Sequence, residues 1–72
     1  MVKLVVADDE ERVYRLIVAL GNWEELGIKV VGTAANGIQA LELIRKEKTD
    51  ILITDIRMPG LNGLELIEKV RE

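Results

Sequence analysis

The sequence contains no cysteine and no histidine. The first absence excludes a disulfide framework and a thiolate metal site. The second removes any imidazole base and any phosphohistidine acceptor. Only one proline stands among the 72 residues. No apolar run approaches the roughly 20 residues that cross a membrane. The opening stretch Met1-Val2-Lys3-Leu4-Val5-Val6 is too short for the apolar part of a secretory signal, and acids follow it at once. A cytoplasmic setting is therefore expected. Positive charge is in the minority, with 10 Lys and Arg against 13 Asp and Glu, a net charge of −3. That balance gives no footprint for nucleic acid. Phosphate-cradling motifs are missing too: Gly60 and Gly63 form neither GxGxxG nor a P-loop with its lysine.

What is present belongs to a globular chain, 49% hydrophobic and 32% charged. Its length allows one domain at most. A chain of this size buries only about 60% of its unfolded surface, so its stability as a monomer is marginal.

Lys3 to Ala7 is an almost continuous apolar run, too short for a helix and typical of a strand buried on both faces. Asp8 and Asp9 then open a helix, with Glu10 and Glu11 in the first turn where the helix dipole favours negative charge. Val13, Leu16, Ile17 and Leu20 follow at the spacing of one helical face. Gly21 is expected to end this helix in a left-handed conformation. Asn22 caps a short turn through Trp23 to Leu26, closed by Gly27, and Trp23 with Leu26 is expected to pack over a sheet edge.

Ile28 to Thr33 is a second strand, rich in β-branched residues. Asn36-Gly37 punctuates, and a second helix runs from about Ile38 to Lys46 with Ala40, Leu41 and Ile44 inward. The positive cluster Arg45, Lys46 and Lys48 complements the carboxyl end of its dipole. Ile51 to Ile53 form a third buried strand ending at Thr54-Asp55, with Thr54 expected in the core. Met58-Pro59-Gly60 is a loop. A third helix starts near Asn62 and carries Leu64, Ile67 and Val70 inward.

The order βαβαβα with short connections predicts an α/β fold, a parallel sheet covered by helices. With the first two helices on opposite faces, right-handed crossovers place the first strand in the middle, giving order 2-1-3. Ligands of such sheets bind beyond the carboxyl ends of the strands, where the order reverses. Asp8, Asp9 and Glu10 after the first strand, and Asp55 after the third, would meet there, because neighbouring strands lie about 4.8 Å apart. Each acid alone has an ordinary explanation: Asp8 and Asp9 as helix caps, Asp55 as a loop acid. Their convergence argues instead for a hard divalent cation such as Mg²⁺, which relieves the mutual repulsion and takes oxygen ligands.

Three segments carry a family resemblance. They are Val5-Val6-Ala7-Asp8-Asp9-Glu10, Asn36-Gly37-Ile38-Gln39-Ala40-Leu41, and Asp50-Ile51-Leu52-Ile53-Thr54-Asp55-Ile56-Arg57-Met58-Pro59-Gly60-Leu61-Asn62-Gly63. In this order and register the chain resembles the receiver domain of two-component response regulators. The insert Asn22-Trp23-Glu24-Glu25-Leu26-Gly27 is similar to that of receivers attached to AraC-type DNA-binding domains.

The resemblance implies a truncated flavodoxin-like fold, with residues 1–72 as the first half of a receiver and strands 4 and 5, helices 4 and 5 and any output domain absent. It implies that Asp55 accepts a phosphoryl group from a histidine kinase, and that the intact parent controls an output such as transcription. Asp9 matches the direct Mg²⁺ ligand and Asp8 the acid that holds the ion largely through water. Arg57 matches the position whose backbone carbonyl completes the metal shell. The Ser/Thr and Lys that end strands 4 and 5 of the family have no counterpart here, since Thr54 and Lys69 lie elsewhere. The segment itself is therefore expected to signal poorly. A metal-dependent phosphatase is disfavoured because no strand-end Asp-x-Asp supplies a paired acid and base and no Lys follows on a later strand, and no enzymatic turnover is expected.

A third strand without its family neighbour leaves Ile51 to Thr54 as an apolar edge. The expectation is a homodimer through that edge, with Leu43 and Leu66 covering the seam, or else exchange of the third helix.

Overall fold

In the computed structural model, which describes residues 1–58 and 60–71, three strands and three helices alternate. They are β1 (Val2–Ala7), α1 (Glu11–Leu20), β2 (Ile28–Ala34), α2 (Gly37–Glu47), β3 (Ile51–Thr54) and α3 (Gly63–Val70). All strand pairs are parallel and the order is β2-β1-β3, the order expected for right-handed crossovers with α1 and α2 on opposite faces. Pro59, in the expected loop, lies outside the described residues. No helix among the described residues is long and apolar enough to cross a membrane.

Side chains alternate across β1, and both faces are closed. Val5 and Ala7 join Ala34, Ala40, Ile44, Met58 and Leu66 in one core beneath α2 and α3. Val31, Leu41, Leu43 and Leu52 pack around it. Leu4 and Val6 point to the other face, toward α1, and are likewise fully buried.

The two later helices begin with side-chain caps. Asn36 accepts a hydrogen bond from the Gln39 amide at 2.9 Å, and Asn62 forms a capping box with Glu65. At its far end α2 holds Arg45 and Lys46 in the last turn, and Lys48 takes a left-handed φ of 51° as the C-cap. Below that cap, the Lys3 amide donates to Asp50 Oδ2 and the Asp50 amide to the Lys3 carbonyl, both at 2.9 Å. The Lys3 ammonium donates to the Glu47 carbonyl, so the amino ends of β1 and β3 are tied to the end of α2.

Several expectations are corrected. α1 turns Val13, Tyr14, Ile17 and Val18 partly inward and leaves Leu16 and Leu20 exposed. It starts at Glu11 with Glu10 as N-cap, so Asp8 and Asp9 do not open it. Gly21 is extended, not left-handed, at φ −77° and ψ 137°. A Cβ there would overlap the Trp23 ring, whose Nε1 donates to the Ile17 carbonyl at 3.2 Å. Trp23 thus seals the end of α1 instead of a sheet edge, and Leu26 is exposed. Left-handed backbone appears six residues later, at Gly27 with φ 73°.

In α3 the inward residue is Leu66, at 0% exposure, while Leu64, Ile67 and Val70 remain 60%, 42% and 41% exposed. Leu66 is a core residue and is not available to cover a seam, while Leu43 is half-buried against that core. Leu43 is fixed by Gly32, where a Cβ would stand 2.5 Å from Leu43 Cδ2.

Candidate functional site

β1 and β3 are hydrogen-bonded neighbours, and the Asp55 amide donates to the Ala7 carbonyl at 3.0 Å. This bond sets the end of β3 level with the end of β1. Carboxylate oxygens of Asp8, Asp9 and Asp55 consequently lie within 4.8 Å of one another. Asp8 is buried, Asp55 half-buried and Asp9 exposed, so the cluster opens to solvent on one side.

The bland explanation for the two leading acids, helix capping, does not hold. Asp8 Oδ1 accepts from the Glu10 amide at 2.9 Å, which stiffens the turn before α1 without capping it. Asp9 has no hydrogen-bond or ion-pair partner among the described residues. Asp55 Oδ1 accepts only a long bond, 3.3 Å, from the Arg57 amide. Three acids thus converge with most of their acceptor capacity unspent and no cationic side chain bonded to them. Oxygen-only donors around an open site suit a hard ion that keeps several waters, as Mg²⁺ does. The residues present fit such an ion.

The loop carrying Asp55 is fixed from behind by residues that the sequence did not single out for this role. Thr54 Oγ1 donates to the Asp55 carbonyl at 2.9 Å and lies 3.9 Å from Met58 Sδ. A Cβ at Gly63 would overlap that same carbonyl, and one at Gly37 would overlap the Leu61 carbonyl. The spacing of Gly60 and Gly63 was visible in the sequence, but not which glycine must touch backbone. Arg57, expected to offer its carbonyl, follows Asp55 by two residues with its side chain exposed. Two shallow hollows flank α2, one against Thr33, Leu43 and Lys46 and one between Ile38 and Gly60. Neither includes an acid of the cluster.

A family model described as the response regulator receiver domain matches residues 4–72. The chain belongs to that family. Receivers are signalling modules, and this one is 44% identical over 70 residues to the uncharacterized transcriptional regulatory protein YesN of Bacillus subtilis. That match covers 97% of this chain and 19% of YesN. Among solved structures, the receiver domain of AraT, a response regulator from Geobacillus stearothermophilus, superposes with a TM-score of 0.94 at 38% identity. It covers 99% of this chain and 56% of that one. A two-component transcriptional regulator AraC from Clostridium phytofermentans gives 0.88 at 30% identity, over 97% of this chain and 56% of that one. The chain therefore spans about half the length of these solved receivers and about a fifth of YesN. Its sheet order and helix positions are those of the flavodoxin-like receiver fold.

Proposed function

We propose that this segment supplies the metal-binding and phosphate-accepting acids of a response regulator, with Asp55 as the acceptor. The observation that carries the reading is the convergence of Asp8, Asp9 and Asp55. Asp9 and Asp8 would hold Mg²⁺ together with Asp55 and the Arg57 carbonyl. A bound Mg²⁺ draws charge from phosphoryl oxygens, which is the main demand of phosphoryl transfer.

The chain's own part is positioning. The Asp55–Ala7 hydrogen bond and the Gly63 contact hold the Asp55 carboxylate at the open end of the sheet. One of its oxygens attacks phosphorus, the bond from phosphorus to the donor's imidazole nitrogen breaks, and that nitrogen keeps the electron pair. The donor is a histidine kinase, and the fragment turns over no substrate of its own. The likeness to YesN and to the AraC-type regulator, both transcriptional regulators, favours transcription as the output of the parent and the cytoplasm as its place.

No lysine stands at the carboxyl ends of the three strands. For the 72-residue segment tested by itself, the loss of one such charge-compensating donor corresponds to about 10²–10³ in rate. Intact-mass measurement after incubation with acetyl phosphate tests the reading. Slow, partial, Mg²⁺-dependent addition of one phosphoryl group, absent from Asp55→Asn, is expected. Addition that persists in Asp55→Asn, or that ignores Mg²⁺, would overturn it.

A further inference from the structure

Alternation along β3 puts Thr54 on the face of Leu52, beside Ala7 of β1 and in otherwise apolar surroundings. A hydroxyl in such a place is costly unless it is hydrogen-bonded. Thr54 Oγ1 donates to the Asp55 carbonyl at 2.9 Å. Met58 Sδ, at 3.9 Å, is the other acceptor it approaches, and a weak one. The carbonyl has no second donor among the described residues, and Gly63 covers it closely. Hydroxyl and carbonyl therefore depend on each other.

Two successive peptide groups carry the effect to the carboxylate. The first, between Asp55 and Ile56, is held at its carbonyl by Thr54. The second, between Ile56 and Arg57, is held at its carbonyl by the Gly63 amide at 2.9 Å. Its other end, the Arg57 amide, donates to Asp55 Oδ1 at 3.3 Å. Among these donors only Thr54 uses a side chain, so it is the tie that a substitution removes cleanly. We infer that the Thr54 hydroxyl is a positioning group for the reaction at Asp55. It locks the Asp55–Ile56 peptide, and through it the turn that aims the carboxylate at Asp8 and Asp9. The inference rests on Asp55 as the phosphoryl acceptor.

A hydroxyl that served stability alone would alter the folded fraction and leave folded molecules reacting at the parent rate. A positioning hydroxyl sets the rate of the folded molecules themselves. Thr54→Val keeps the side-chain shape and removes the donor. Thr54→Ser keeps the donor and removes a methyl group. Ile44→Val trims the core on α2 away from the acids, so it lowers stability without disturbing the Asp55 turn.

Intact mass against time in acetyl phosphate and saturating Mg²⁺ gives the rate, and circular dichroism gives the folded fraction. In each addition an Asp55 oxygen bonds to phosphorus, the P–O bond to acetate breaks, and acetate leaves with the electron pair. Per folded molecule, Thr54→Val should react at least tenfold more slowly, since misplacement by about 1 Å costs up to about 10²-fold. Thr54→Ala should repeat the loss, and Thr54→Ser should restore the rate. Ile44→Val should lower Tm with the rate per folded molecule unchanged. The Arg57 amide-proton resonance gives a readout free of metal and phosphate. It should move in Thr54→Val and return in Thr54→Ser, while the Glu10 amide, bonded to Asp8, stays in place. A parent-like rate and Arg57 signal in Thr54→Val would overturn the inference and leave Asp55 standing as acceptor. So would a loss that Thr54→Ser fails to restore, or one that Ile44→Val reproduces per folded molecule. Addition that survives Asp55→Asn strikes the acceptor assignment, and the inference falls with it.

Discussion

Gly63 rests directly on the carbonyl of Asp55, with no room between them for a Cβ. The contact belongs to the first residue of α3 and the last backbone group before the Asp55 loop, so it sets how the helix start meets the acids. Gly63→Ala should destabilise the chain by about 1–3 kcal/mol, the usual cost of overpacking. It should also weaken Mg²⁺ binding, since relief of the clash must shift Asp55. Urea unfolding and a Mg²⁺ titration read the two effects separately, and a variant as stable as its parent would contradict the tight contact.

Cation binding to the folded chain alone should stabilise it. At ten times Kd the gain is about 1.4 kcal/mol, or roughly 6–11 °C in Tm for a domain this small. Asp9→Asn should abolish the gain. Without Mg²⁺ the same substitution should raise Tm slightly, because one of three mutually repelling charges is gone. Thermal melts with and without millimolar Mg²⁺ check both signs.

The capping box of α3 gives a third outcome. Asn62 accepts from the Glu65 amide at 2.9 Å, while the Asn62 amide donates to Glu65 Oε1 at 3.3 Å. Asn62→Ala should cost about 1 kcal/mol. Fraying should concentrate in α3, and amide exchange of Leu66 and Ile67 would report it.

Leu66 and Leu64 sit two residues apart and should behave oppositely. Leu66→Ala empties a fully buried site and should cost about 2–5 kcal/mol. That is enough to unfold a marginal chain. Leu64→Ala removes an exposed side chain and should change monomer stability by no more than about 0.5 kcal/mol. Comparable losses at the two positions would mean that α3 is rotated from the orientation described.

The strand order and the three acids were legible in the sequence because each rests on a local rule that tertiary packing does not override. Apolar runs of four to six residues are too short for helices, and right-handed crossovers with the first two helices on opposite faces give the order 2-1-3. Helix orientation was less legible. α1 has apolar residues at Val13, Ile17 and Val18 as well as Leu16 and Leu20, so two arcs compete for the core. α3 offers Leu66 beside Leu64, Ile67 and Val70, and the periodicity of 3.6 is satisfied by either choice. The sheet decides, and it is not visible in a helix read alone. Gly21 illustrates the same limit, since a glycine at a helix end usually signals a left-handed cap. Here its missing side chain makes space for the Trp23 ring.

The contact between Gly37 and the Leu61 carbonyl joins the first turn of α2 to the loop beyond Asp55. These positions are 24 residues apart in sequence, yet neither can be altered alone. A side chain at 37 would push on the backbone of 61, and a loop of different length or path after Asp55 would lose its backstop. Transplanting the Asp55 loop between receivers thus requires the start of the second helix to travel with it. Grafts that move the loop by itself carry an orphaned half of a joint.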